Sequence, residues 1–331
     1  MDKLMENLIR TFGVSSKESY IKNIIKQEIE EIKNSKEINI GVTEDGIGNL
    51  IVKIGRGNER IMICTHMDNA GIIATLVEEN GFIRVSPIGN LKPEKLVRSF
   101  VKFENGTLGR IDASKDNPSR DELFIDLGVS SKEIASQKVK EGDLAEVIGQ
   151  GFISDNRIVA PNLHSKLGCY ALLKAIRGIK EAENLNKEFY FIFTSQMEVG
   201  FRGARAAASG IKPSMAIILD SVEVEDYIGG NSALRLEGGP AVCIYDKSLV
   251  IHNDIKKIIE DAAEKLGVIT QYNIGNDRNE GGIIHKEVGG IKTGVIEIPC
   301  RYMHTSGEMM SLKDIDDTIT LICYVVDKIS I

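Results

Sequence analysis

Histidine and carboxylate residues recur along this 331-residue chain where they could hold metal ions. His66 and Asp68 stand in "ICTHMDNAG", His164 in "PNLHSKLGC" and Glu198 in "TSQMEVGFRGA". Asp220 stands in "AIILDSVE" and His304 in "CRYMHTSGE". Hydrolysis at a two-metal site needs a carboxylate that bridges the ions and further nitrogen or oxygen ligands on each. It also needs a base for the attacking water. Singly, each residue is ambiguous. A His-x-Asp pair fits an ordinary loop as well, and a carboxylate after an apolar strand is often a helix cap. Together they point to metal, because His66, Glu198, Asp220 and His304 each close an apolar, strand-like run. Asp68, two residues past His66, is placed to hold that imidazole in one tautomer. Glu198 and Asp220 could also form a glycosidase-type carboxylate pair, but the flanking histidines favour metal.

The elements that must carry these residues alternate between helix and strand. "SSKESYIKNIIKQEIEEIKN" predicts an amphipathic helix capped by Ser15 or Ser16, with Tyr20, Ile24, Ile25 and Ile29 on one face. "ERIMICTHMD", "KEFYFIFTSQ", "SMAIILD" and "TGVIEIP" read as buried strands, and site residues gather at the C-terminal ends of such strands. "SKLGCYALLKAIRGIKEAEN" and "HNDIKKIIEDAAEKLG" predict helices. So does "SLKDIDDTITLICYVVDKI", with Ser311 as its cap. Residues 72–162 differ. They alternate in short runs broken by Gly, Asn and Pro, the mark of a β-rich insert, with one helix in "SSKEIASQKV". The expected fold is α/β, a mixed sheet flanked by helices. Residues 1–71 and 163–331 form the discontinuous main domain, and 72–162 a small inserted β domain.

A net charge of −7 argues against nucleic acid as a partner. No apolar run approaches the roughly 20 residues that span a bilayer, and no secretory leader is visible. The five cysteines are widely spaced with no CxxC, which suits buried thiols in a reducing cytoplasm.

From "GIGNLIVKIG" through "THMDNAG", "NRIVAPNLHSKLGC", "TSQMEVGFRGA" and "LDSVE" to "GVIEIPCRYMHTSGE", the chain resembles the glutamyl and tetrahedral (TET) aminopeptidases, a family of dinuclear zinc metallopeptidases. The resemblance covers nearly the whole length. It implies a zinc-peptidase α/β domain with an inserted β domain that assembles a homo-oligomer, and a peptide or small amide as substrate. By position, it implies His66 and Asp220 on one ion, Glu198 and His304 on the other, and Asp68 behind His66. Two positions depart from it. The family's bridging aspartate lies in a Leu-Asp-Asn-Arg-x-Gly-Cys pattern, and here that place is His164. The family's base is the first of two adjacent glutamates, and here that place is Met197. Asp155, in the nearby "SDNR", lies nine residues too early and on the preceding β segment. Asn69 stands where the family commonly has Glu, and Asn279, Glu280 and Gly281 replace a Gly-rich Thr-Asp-Ala loop. An imidazole bridges two cations only after a second deprotonation, and a thioether accepts no proton. The expectation is a metallohydrolase homologue with an altered site, holding zinc, cobalt or manganese at one ion per chain or less. It would be weak or inactive on ordinary peptides. The alternative is a non-catalytic peptide-binding or scaffold protein on the same fold.

Overall fold

A computed structural model describes residues 1–36, 38–179 and 185–330. Among the described residues, the apolar runs form the middle of an eleven-stranded mixed sheet. Glu188–Thr194, Arg60–His66, Met215–Glu223 and Lys292–Arg301 lie side by side and parallel. Their alternating side chains enter two cores. Ile61 and Ile63 pack with the helices Ser19–Lys36, Leu163–Gly178 and Leu312–Ser330, while Met62 and Cys64 pack with Ala204, Ala207 and Ala208 of Arg202–Ile211 on the other face. Burial on both faces explains why these strands read as continuous apolar runs. Leu163–Gly178 is itself buried nearly all round, and Gly168 lets it approach the sheet, since a Cβ there would meet Thr65 Oγ1 at 2.4 Å. The predicted continuation of this helix over 180–184 falls outside the described residues.

Six short strands between Gly71 and Ile148 close a separate barrel around Ile72, Val101, Phe103, Ile111 and Ile125. The expected insert of 72–162 is longer than this barrel. Phe152–Ser154 and Arg157–Ala160 form a hairpin that joins the large sheet, with Arg157–Ala160 antiparallel to Glu308–Ser311. Short alternating strands look alike wherever they pair, so sequence period alone placed this hairpin in the wrong sheet. Asp155 sits at its exposed turn, with φ of 54°.

The helix Ser19–Lys36 also departs from expectation. It begins at Ser19, and its buried face is Ile21, Ile25, Ile29 and Ile32, leaving Tyr20 exposed. Ser15 is not its cap. The Ser15 hydroxyl donates instead to Asp68 Oδ2 at 2.5 Å. Ser311 does precede Leu312–Ser330 and accepts from the Asp314 amide at 3.3 Å, as a helix cap should.

Candidate metal centre

The parallel register sets the depth of each site residue. Thr194 pairs with His66 and Ile218 with Cys64, so Asp220, two residues on, lies level with His66. Glu198 follows the strand Glu188–Thr194 through a turn in which Gln196 and Phe201 adopt left-handed φ of 56° and 57°. His304 lies just past Lys292–Arg301, also left-handed at φ 64°. His164 is the second residue of Leu163–Gly178, after a left-handed Asn162. Non-glycine residues in this region cost roughly 1–2 kcal/mol each, and such outliers cluster at functional sites. Gly89 closes the site from the barrel side, where a Cβ would meet Glu198 Oε2 at 2.4 Å.

The five residues named as ligands surround one end of a cleft of about 810 Å³, and all five line it together with Met197. His66 Nδ1 lies 2.8 Å from the Asp68 main-chain oxygen, which must accept, so Nδ1 carries a proton and in the neutral ring the lone pair is on Nε2. That Nε2 is 3.7 Å from Asp220 Oδ1. The Asp68 carboxylate does a different job from the one expected. It is 3.8 Å from the imidazole and accepts instead from Ser15 Oγ and from the amides of Met197 and Glu198, at 3.0 and 3.1 Å. It therefore fixes the turn that presents Glu198.

His164 lies between two carboxylates. Its Nδ1 is 2.8 Å from Glu308 Oε1, and its Nε2 is 3.5 Å from Glu198 Oε1. Glu308 also accepts from the His164 amide at 2.9 Å and the His304 amide at 2.8 Å. It thus satisfies a free amide at the helix N-terminus, where an anion is favoured. Glu308 is wholly buried and was not anticipated from sequence. Its only signal was a glutamate four residues past His304.

Without an ion, burial and neighbouring charges pull on the site's histidines and Glu198 in opposite directions. Burial works against charge on His164, but Glu308 and Glu198 raise its pKa to about 10. Burial likewise opposes charge on His66, and Asp220 raises it to about 9. At 3.5 and 3.7 Å, the contacts to Glu198 and Asp220 are longer than well-formed hydrogen bonds, so Coulombic attraction carries them. Burial would raise Glu198, yet His164 and His304 bring it down to about 2. That value does not suit a glycosidic general acid, which needs a raised pKa. His304 is pushed down by burial and by the His164 charge.

The donor set suits a metal ion. The buried nitrogens His66 Nε2, His164 Nε2 and His304 Nδ1 have no hydrogen-bond partner, and donor atoms of His164, His304 and Glu308 lie within 4.8 Å of one another. Unpartnered buried polar atoms are rare unless an ion or water completes them. The neighbouring departures face elsewhere. Asn69 points away from the cleft and accepts from Lys166 Nζ at 2.8 Å, and Lys166 is fully buried. Glu280 is sealed beneath the site, accepting from Thr194 Oγ1 at 2.6 Å, and burial raises its pKa to about 7. Among the described residues, no helix is long and apolar enough to cross a membrane.

Residues 48–321 match the model of the M42 glutamyl aminopeptidase family. A provisionally named aminopeptidase of Acetivibrio thermocellus is 34% identical over 97% of both chains. Among solved structures, the aminopeptidase APDkam598 of the archaeon Desulfurococcus kamchatkensis superposes with a TM-score of 0.89. It is 27% identical, and the match covers 98% of this chain and 94% of the other. The TET1 peptidase of Pyrococcus horikoshii, which can assemble into a tetrahedron or a large octahedral shell, superposes with a TM-score of 0.87. It is also 27% identical, over 98% of both chains.

Proposed function

The chain belongs to the M42 glutamyl aminopeptidase family, and on that premise we propose that it is a metallohydrolase homologue with a rebuilt metal site and no general base. Its ligands are drawn from His66, His164, Glu198, Asp220 and His304. The ion is divalent, zinc or else cobalt or manganese, at one per chain or less. The observation that carries this reading is Met197. It lines the cleft beside Glu198, and its main chain is tied to Asp68. Its thioether takes no proton, and losing a positioned base typically costs about a hundred- to ten-thousand-fold in rate. Glu280 does not replace it, because its carboxyl is outside the cleft wall. The imidazole of His164 adds no bridging anion. When bound, the ion would polarise a peptide or small-amide carbonyl. The chain's own residues would bind and orient that ligand without completing proton transfer.

A second reading, a non-catalytic peptide-binding or scaffold protein, is supported by the open cleft of about 810 Å³ beside the altered pair. The test is hydrolysis of aminoacyl substrates with added zinc, cobalt or manganese, with His66→Ala and Glu198→Ala as controls. Turnover at an ordinary enzymatic rate of about 1–1,000 per second, lost in both controls, would sink the claim of a disabled site. Turnover that survives both controls would place the chemistry elsewhere.

We also propose a cytoplasmic homo-oligomer formed through the barrel. The assembly of the Pyrococcus horikoshii relative supports this, as do the exposed Leu76, Phe100 and Leu108 on barrel strands. Light scattering should give a multiple of 36.4 kDa at micromolar concentration, and a monomer there refutes it.

A further inference from the structure

We infer that the centre holds a single divalent transition-metal ion, on its Glu198 side. His164 Nε2 and His304 Nδ1 are the imidazole ligands and Glu198 the anionic one. His66 and Asp220, 3.7 Å apart, hold no second ion. This deepens the metal-site reading above and rests on it.

Geometry separates the two sides. Two imidazoles on one ion, with bonds of about 2.0–2.1 Å, have ring centroids roughly 4.5 Å apart at a right angle and about 5.2 Å apart at the tetrahedral angle. The His164 and His304 rings are 4.7 Å apart, inside that window. The His66 and His164 rings are 5.9 Å apart, outside it. His164 Nε2 faces Glu198 Oε1 at 3.5 Å, close to the roughly 3.4 Å expected between two donors on one tetrahedral ion. Both ligand nitrogens are buried and lack a hydrogen bond. His66 Nε2 also lacks one, but its near anion is Asp220 at 3.7 Å. Among the described residues, the donors of His164 and His304 group with Glu308, and His66 joins no such group.

Glu308 explains why His164 serves only one side. Its oxygens are occupied by His164 Nδ1, the His164 amide and the His304 amide. It is therefore a positioning residue. It commits the Nδ1 nitrogen to a hydrogen bond and leaves one lone pair, on Nε2, for the ion. A carboxylate at position 164 would offer two oxygens, one to each side. Two imidazoles and one carboxylate suit zinc or cobalt better than magnesium or calcium, which favour all-oxygen shells.

The test counts ions. The chain is stripped with chelator and dialysed against saturating Co²⁺, and cobalt per chain is measured by elemental analysis alongside the visible absorption of the bound ion. The expected result is one cobalt per wild-type chain, retained in His66→Gln and Asp220→Asn and lost in His164→Gln and His304→Gln. Glu308→Gln should bind about 10–100-fold more weakly, and His164→Asp should bind two. Circular dichroism confirms that each variant is folded, and the wild-type count needs no variant. Two cobalt ions per wild-type chain, or loss of the ion in His66→Gln with retention in His304→Gln, overturns the single-sided site. No cobalt on the wild type overturns the metal-site reading itself.

Discussion

Glu308 should be one of the most destabilising positions in the chain to change. It is wholly buried, and one carboxylate takes three donors: His164 Nδ1, the His164 amide and the His304 amide. Glu308→Ala leaves all three unpartnered. It also leaves His164, whose pKa is raised to about 10, without its closest anion. Removing one partner of a buried charge pair costs about 3–5 kcal/mol. Three separate unmet donors at about 1–3 kcal/mol each bracket the same range without adding fully. At roughly 2 °C per kcal/mol for a chain of this size, the melting temperature should fall by about 6–10 °C. Glu308→Gln keeps the volume and one accepting oxygen, so it should fall about half as far. Burial opposes the Glu308 charge, but His164 lowers its pKa below the ordinary carboxylate range. Its contribution is therefore present above that range and disappears as pH falls through the depressed value. The difference between wild type and Glu308→Gln should shrink in acid. Calorimetry of metal-free protein at several pH values is the assay. Both variants melting within 2 °C of wild type at neutral pH would refute the claim that Glu308 organises the site.

Asp68→Ala removes the acceptor for Ser15 and for the Met197 and Glu198 amides. It should cost about 2–4 kcal/mol and weaken cobalt binding through the misplaced Glu198, and calorimetry with a cobalt titration checks both. Lys166 is fully buried, and burial lowers its pKa from 10.5 to about 8. Between those values the unfolded chain keeps the proton that the folded chain has lost. Stability should therefore rise with pH across this window, by about 3 kcal/mol in all. Lys166→Met should lack that rise in urea titrations from pH 7.5 to 10.5, and an identical pH profile for both proteins would refute the assignment. Gly89→Ala combines a φ of 86° with a Cβ that meets Glu198 Oε2 at 2.4 Å. It should lower cobalt affinity by more than tenfold, and unchanged affinity would show that Glu198 can move aside freely.

How far the sequence revealed the site depends on what holds each residue. His66 and Asp220 were legible because His66 ends a strand, and Asp220 the apolar part of one that runs on to Glu223, whose two buried faces leave an apolar run in the text. His304 and Glu198 were legible for the same reason, one turn later. The partners that organise them were not. Glu308 reaches His164 only because Glu308–Ser311 pairs with Arg157–Ala160, and no local pattern records a pairing of strands about 150 residues apart. The same pairing draws the hairpin at 152–160 out of the expected insert and into the large sheet. Ser15 read as a helix cap because a serine before an amphipathic run usually is one. Its tie to Asp68 spans 53 residues. The left-handed residues Gln196, Phe201 and His304 are equally silent in sequence, being held by tertiary contacts against their own preference.

The central claim is that two substitutions, His164 and Met197, separate this chain from a working peptidase of its family. It is tested most directly by reversing them. Wild type, His164→Asp, Met197→Glu and the double variant should be assayed on aminoacyl substrates with saturating zinc, cobalt or manganese. The account predicts little turnover in wild type and small gains in each single variant. The aspartate supplies the anion without a base, and the glutamate supplies a base without a properly held ion. The double variant should gain at least about a hundredfold, more than the product of the single gains, as groups acting as one catalytic unit do. A folded, metal-loaded double variant no more active than wild type would contradict it.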